Sequence, residues 1–327
     1  MKRRHLLRLL VASPMAYAIA TRAQPQTGPV VGFLNSASIA TYSFNASAFR
    51  EGLRDAGFTE GRNVTIEYRW ADNDYARLPA LAGELAQRNV AAIAATGDIA
   101  SARAAQAATT KIPIVFTVGS DPVSFGLVTS LSRPTANATG VTLFSSTLMA
   151  KRLELLRDAA PNARLVALLM NPDNLNYDVD IKAAREAAQS LGRQTIIVDS
   201  KSPDTLAAAF QTISQKRAHA VLIASDPMFL GQREQIAALA SKQKLPVVAW
   251  TSEFSKAGIL MSYGTSVQWM YRQAGLYVGR ILKGAKPSEL PIIQPTHFQL
   301  VINLTTAKAL GITIPQSLRL RADDMLE

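Results

Sequence analysis

Short apolar runs ending in small polar residues alternate along this chain with longer stretches whose apolar positions recur every three or four residues. The first kind of run predicts a buried parallel strand, and the second predicts an amphipathic helix. Residues 30–34 read as the first strand, followed by a helix that carries Phe44, Phe49 and Leu53 and closes at Gly57. Residues 64–70 alternate, with Val64, Ile66 and Tyr68 set against Thr65, Glu67 and Arg69, which predicts a strand with unlike faces. A helix over about 76–88, a strand over 90–95, an alanine-rich helix over 99–109 and a strand starting at Ile112 complete a β-α-β-α-β-α-β rhythm. That rhythm belongs to a doubly wound parallel sheet.

Residues 132–140 form a turn-rich break, and 141–143 make a candidate strand leading into the second half. The same alternation then returns. Helices are expected near 147–159, 177–191, 203–216, around Ile236 and Leu239, and over 267–282. Strands are expected at 165–170, 194–198, around Val221, at 246–250 and at 259–262. The tail, with Pro287, Pro291 and Pro295, an extended piece at 298–302 and a short helix near 305–310, reads as an irregular wrapping segment. Two α/β lobes are the expected architecture.

One phrase occurs twice. Ser120-Asp121-Pro122 follows the strand at 112–118, Ser225-Asp226-Pro227 follows the strand at Val221, and each is completed by a glycine, Gly126 or Gly231. Asp before Pro caps and starts a helix, because the carboxylate accepts orphan N–H groups and proline suits the first helical position. The repeat suggests two strand ends of one kind that face each other across a cleft, since ligands in open parallel sheets sit beyond the carboxyl ends of the strands. The candidate ligand-binding residues are those at strand ends: Asn35 and Ser36, Thr96 and Gly97, Gly119, Ser120 and Asp121, Asn171, Ser225 and Asp226, and Thr251 and Glu253. Tyr42, Tyr177 and Tyr263, in or beside loops, are the aromatic candidates, whereas Phe33, Phe116 and Trp250 lie inside strand runs and are expected to pack. Helix starts suit a carboxylate, and Asp121, Asp226 or Glu253 suit an amino group, so a zwitterionic or carboxylate-bearing ligand is expected over a sugar.

Composition narrows the function. The net charge is +11, but five of the 35 basic residues lie in the first 23 positions, which hold no acid. The remaining excess is spread along the chain without a reader motif, so no nucleic-acid partner is expected. That first segment, with Lys2-Arg3-Arg4, an apolar run to Ala20 and small residues before Ala23, reads as an export signal over 1–23; a flexible lead-in covers 24–29. There is no cysteine, which excludes thiolate metal sites and the lipid anchor of a lipoprotein. The mature chain is expected in the periplasm. His5, His219 and His297 stand far apart, and there is no zinc-protease, nucleophile-elbow or Walker motif, so neither catalytic residues nor a metal or cofactor are expected.

Beyond these patterns, Ile-Pro-Ile-Val-Phe at 112–116, Ser-Asp-Pro-Val at 120–123, Gly-Leu-Val-Thr-Ser-Leu at 126–131 and Leu-Met-Ser-Tyr-Gly at 260–264 stand out. So do Ile-Leu-Lys-Gly-Ala-Lys-Pro at 281–287, Gln-Pro-Thr-His-Phe at 294–298 and Leu-Arg-Ala-Asp-Asp at 320–324. Together they resemble the ABC-transporter substrate-binding family, and within it the branch with tryptophan- and phenylalanine-binding members. The resemblance implies a type I periplasmic-binding fold: two lobes, a hinge of three crossovers and a ligand enclosed when the lobes close. It places one lobe at 30–142 plus about 265–300 and the other at 143–264 plus about 301–327, with Gly264 at a crossover. It also implies an importer's solute-binding protein, monomeric, that delivers an amino acid or aromatic carboxylate to a membrane permease. The alternative is a periplasmic ligand sensor that docks on a receptor kinase or chemoreceptor.

Overall fold

A computed structural model describes residues 28–134 and 136–327. The expected leader and most of the lead-in lie outside the described residues. The first sheet holds β1 (Val30–Asn35), β2 (Thr65–Trp70), β3 (Ala92–Thr96), β4 (Ile114–Val118) and β5 (Ala138–Thr142), all parallel, in the order β2-β1-β3-β4-β5. Helices α1 (Ile39–Asp55), α2 (Leu78–Gln87) and α3 (Ile99–Ala108) connect its first four strands. Strands β3, β4 and β5 are buried at every position, as their apolar runs predict, whereas the edge strand β2 buries only Ile66 and leaves its other positions half-buried.

The second lobe repeats this plan. It contains α4 (Met149–Ala159), β6 (Leu165–Met170), α5 (Tyr177–Ser190), β7 (Gln194–Asp199), α6 (Leu206–Gln215) and β8 (Ala220–Ile223). The helices α7 (Pro227–Gly231) and α8 (Arg233–Lys242), β9 (Val247–Ala249), α9 (Ser252–Lys256) and β10 (Met261–Gly264) follow. The order β7-β6-β8-β9-β10 is that of the first sheet, strand for strand. The chain then returns to the first lobe as α10 (Val267–Leu282), which packs on α1 and against β3, β4 and β5. It crosses back once more to end as β11 (Gln299–Asn303), α11 (Leu304–Ala309), α12 (Gln316–Arg319) and β12 (Asp324–Leu326).

Three expectations change. The tail is not irregular: β11 joins β10 antiparallel and β12 joins β11 in parallel, so the second sheet has seven strands. Leu300 and Ile302 sit in the core of the second lobe, and that burial fixes the register of the extended piece expected at 298–302, which is a paired strand rather than part of an irregular wrapping segment. The two Ser-Asp-Pro phrases are also not equivalent. The first follows β4, the fourth strand of its lobe, and the second follows β8, the third strand of the other. The loop that matches Ser225-Asp226 in position is therefore the one after β3, with Asp98. Finally, no helix forms at Pro122; Asp121 closes a turn by accepting from Val123 N at 2.9 Å.

The α1–α10 contact is backbone against backbone. A Cβ on Gly52 would collide with the Arg272 carbonyl oxygen, and one on Gly275 with that of Phe49. Gly83, in α2, has open space around it. Alanine favours a helix interior by about 1 kcal/mol over glycine, so the two sites should respond with opposite signs. Gly83→Ala is expected to raise stability by up to about 1 kcal/mol, while Gly275→Ala should lower it by about 1–3 kcal/mol as the helices are forced apart. Urea melts of the two variants check this, and stabilisation by both would refute the close approach.

Candidate functional site

In a sheet of this strand order, the crevice opens where connections leave in opposite directions, between the first and third strands of each lobe. The loops after β1 and β3 and those after β6 and β8 meet at that place. A Cβ on Gly119 would stand 3.3 Å from Ser225 Oγ, and one on Gly231 would stand 2.6 Å from Thr41 Oγ1, so the lobes are closed on each other. Between them lies a cavity of about 10 Å³. Tyr42, Gly97, Asp98 and Gly119 line it from one lobe, and Asn174, Asn176, Ser225 and Trp250 from the other. Leu143, Pro227 and Met270 add apolar wall. Space for one water is far below what a small organic ligand needs, so the lobes must part to admit one.

Asp226 is the electrostatic centre of the second lobe's contribution. It caps α7 by accepting from Met228 N at 2.8 Å through Oδ1. Its Oδ2 accepts from Asn174 Nδ2 at 2.8 Å, from Asn171 Nδ2 at 3.0 Å and, across the cleft, from the Tyr75 hydroxyl at 3.2 Å. Burial nevertheless raises its carboxyl pKa, against the pull of the Asn174, Met228 and Asn171 hydrogen bonds. Tyr75 is pushed up by burial first and then by the anionic Asp226 and Asp98 on either side of it.

Asp98, the positional counterpart, is used differently. Its Oδ1 caps α3 by accepting from Ser101 N at 3.0 Å and from Ser101 Oγ at 3.3 Å. Its Oδ2 is buried with no hydrogen-bond partner among the described residues. Ser36 and Tyr75 are near enough to favour its charged form without reaching full hydrogen-bond geometry, and burial outweighs them to raise its pKa. Ser36 Oγ, Asn176 Oδ1 and Trp250 Nε1 are likewise buried and unpaired.

The other expected residues divide by position. Asn35 donates to Thr96 Oγ1 and to the Tyr271 hydroxyl, each at 2.8 Å, and accepts from Ala37 N, so it and Thr96 brace the loop that presents Ser36. Gly97, with φ +104°, lets the chain pass close to Ser36. Tyr42 is buried and packs edge-on against Tyr271 while reaching the cavity. Ser120 lies behind the cavity, its hydroxyl 3.1 Å from that of Ser146, and Asp121 is held in its turn. Asn171 serves Asp226, and the Tyr177 hydroxyl turns away to Asp199 at 2.9 Å. Thr251 donates to Glu253, and neither lines the cavity. Tyr263 stacks near Phe298 at the hinge.

Sequence reasoning left out Tyr75, Asn174, Asn176 and Met270, and placed Asp98 among the strand-end polar residues without choosing it. It assigned Trp250 to packing, where it does pack against Phe254 while also lining the cavity. Asp98 follows a strand end and precedes a helix, which is a usable signal; the approach of Tyr75 depends on how two lobes dock. Arg152, in α4, is also unforeseen. Fully buried, it donates from Nε to the Tyr263 carbonyl at 2.9 Å, from Nη1 to the Ser145 carbonyl at 3.0 Å and from Nη2 to Ser145 Oγ at 3.0 Å. Burial lowers its pKa to about 10, offset in part by Asp180. It thereby fastens the first crossover, around Ser145, to the second, after Tyr263.

Two outcomes are expected. Tyr75→Phe removes the hydrogen bond between the lobes and should shift the open–closed equilibrium toward open about tenfold, the effect of one bond to a charged acceptor. Paired spin labels, one per lobe, would report it, and an unchanged distance distribution would rule out the latch. Asp180, whose carboxyl burial raises from 3.8 to about 6, gives a pH dependence. The fold binds that proton more tightly than the unfolded chain, so its contribution to stability is full below about pH 4 and is lost as pH rises through about 6. Asp180→Asn should therefore narrow the fall in stability over that window by on the order of 3 kcal/mol in urea melts. The same slope in both proteins would remove Asp180 from the account.

Residues 37–326 match the family described as ABC transporter substrate binding protein. The chain is 26% identical over 266 residues to the tyrosine-binding protein of Clostridioides difficile, covering 81% of this chain and 75% of that one. The structure is similar to an ABC domain from Streptococcus pneumonia in complex with L-Trp (TM-score 0.82, 21% identity, 92% of this chain and all of that one). It is also similar to a substrate-binding protein with adhesive properties from Clostridium difficile, solved ligand-free and open (TM-score 0.63, 26% identity, 91% and 99% covered). The two doubly wound lobes and three crossovers are those of the type I periplasmic-binding fold. With nearly all of its described length matched, the chain belongs to the ABC transporter substrate-binding protein family.

Proposed function

We propose that this chain is the extracytoplasmic solute receptor of an ABC importer and that its cleft captures an amino acid with an aromatic side chain. The observation that carries the reading is the cavity at the paired switch points, walled by Tyr42, Trp250, Leu143 and Met270 and bearing unpaired polar atoms at Asp98, Asn176 and Trp250. A flat apolar wall beside a few orienting hydrogen-bonding groups suits an aromatic zwitterion. The names of two similar proteins, one tyrosine-binding and one bound to L-Trp, support the same class.

In this reading residues 1–23 direct export, the ligand joins the lobes, and the closed form is what a membrane permease receives. No catalytic step is assigned to the site. The geometric likeness to the L-Trp complex exceeds that to the ligand-free, open protein, which supports closure around the ligand as the working motion.

A calorimetric and thermal-shift screen over the amino acids, sugars and nucleobases tests it. At a hundredfold excess over its dissociation constant a ligand adds about 2.7 kcal/mol, a shift of roughly 4 °C for a chain of this size. That shift is expected with tyrosine, phenylalanine or tryptophan and absent with sugars. A sugar that gave it instead would overturn the assignment.

A further inference from the structure

We infer that the cleft selects its ligand by a primary ammonium group, anchored between Asp98 of one lobe and Asn176 of the other, and takes little affinity from the ligand's carboxylate. This rests on the reading of the cleft as an amino-acid site and specifies what that site recognises.

Asp226 has both oxygens occupied, by Met228 N on one and by Tyr75, Asn171 and Asn174 on the other. Asp98 has only Oδ1 occupied, so Oδ2 is the carboxylate oxygen left to serve a ligand. The residue is 5% exposed and lines the cavity, and so does Asn176, 3% exposed, with Oδ1 unpaired. Both atoms are acceptors, and they come from opposite lobes. A buried anion with an unused oxygen calls for a charged donor, and an ammonium has three N–H bonds to share between such acceptors. The same group would therefore join the lobes as they close.

The other end of an amino acid finds a different environment. Among the described residues no lysine, arginine or histidine lines the cavity. Arg152, the large buried cation nearby, has Nε, Nη1 and Nη2 committed to Tyr263 and Ser145. The donors that line the cavity are all neutral: the indole Nε1 of Trp250, 4% exposed and unpaired, and the hydroxyls of Ser225 and Tyr42 and the amide of Asn176. A ligand carboxylate thus meets neutral donors only, and the charge-assisted contact belongs to the amine.

Matched trios decide the matter by calorimetry on the full chain: phenylalanine, phenethylamine and phenylpropionate; tyrosine, tyramine and hydroxyphenylpropionate; tryptophan, tryptamine and indolepropionate. Each amine should bind within about tenfold of its amino acid, and each deamino acid roughly ten- to a hundredfold more weakly than the amine, the range of one hydrogen bond to a charged group. Asp98→Asn keeps an oxygen to cap α3 and should weaken the amino acids and amines by that same factor while sparing the deamino acids. A deamino acid that binds as tightly as its amine overturns the proposal, as does unchanged amino-acid affinity in a folded Asp98→Asn. If that variant does not fold, the wild-type trios decide alone. Failure of all three aromatic amino acids while another amino acid binds would remove the aromatic reading, and the trio built on that amino acid then decides this one. Binding by no amine-bearing probe overturns it.

Discussion

The Asp226 carboxylate is the group around which the closed cleft is arranged. A buried anion is tolerated only when its oxygens are met, and here the donors come from three separate segments. Met228 N belongs to the helix that Asp226 starts, Asn171 and Asn174 to the loop after β6, and Tyr75 to the other lobe. Holding Asn171 and Asn174 fixes the loop that carries Asn176 to the cavity. When the lobes part, Tyr75 can exchange its partner for water while the other three remain, so the network survives opening. The contact between the lobes is thus the replaceable member of a set that is otherwise permanent.

The two lobes share one strand order, and the loops after their third strands present an aspartate each, Asp98 and Asp226, each capping the following helix. What differs is the second oxygen. Beside Asp226 the loop after β6 supplies two asparagine amides. Beside Asp98 the corresponding loop after β1 supplies Ser36, while Asn35 is spent on Thr96 and Tyr271. One frame thereby yields a satisfied anion in one lobe and an unsatisfied one in the other.

Most of the fold was legible because burial on both faces forces continuous apolar runs: residues 165–170 and 267–282 read as the elements they are. In the tail the extended piece at 298–302 and the helix after it were legible, but their place in the second sheet was not, since Leu300 and Ile302 acquire a partner only when β10 presents its edge. The repeated Ser-Asp-Pro phrase drew attention to Ser225, which lines the cavity, and misleadingly to an equivalence with Ser120, because local chemistry carries no record of strand order. Trp250 sits at the end of an apolar run and looks like core from one dimension; its ring is in fact buried with the indole N–H unpaired. Arg152 falls on the inward face of an amphipathic helix, where sequence alone gives no reason for an arginine. The reason lies in two chain segments that α4 meets only in the folded molecule.

That arginine bears on mechanics. One planar guanidinium grips the Ser145 carbonyl and hydroxyl just past the first connection and the Tyr263 carbonyl in β10, just before the second, and Thr265 Oγ1 reaches the His297 carbonyl on the third at 3.2 Å. Three ropes knotted together cannot slide past one another. Sliding one of these segments past its neighbour would cost the hydrogen bonds between them, so the connections between the halves are held as one bundle.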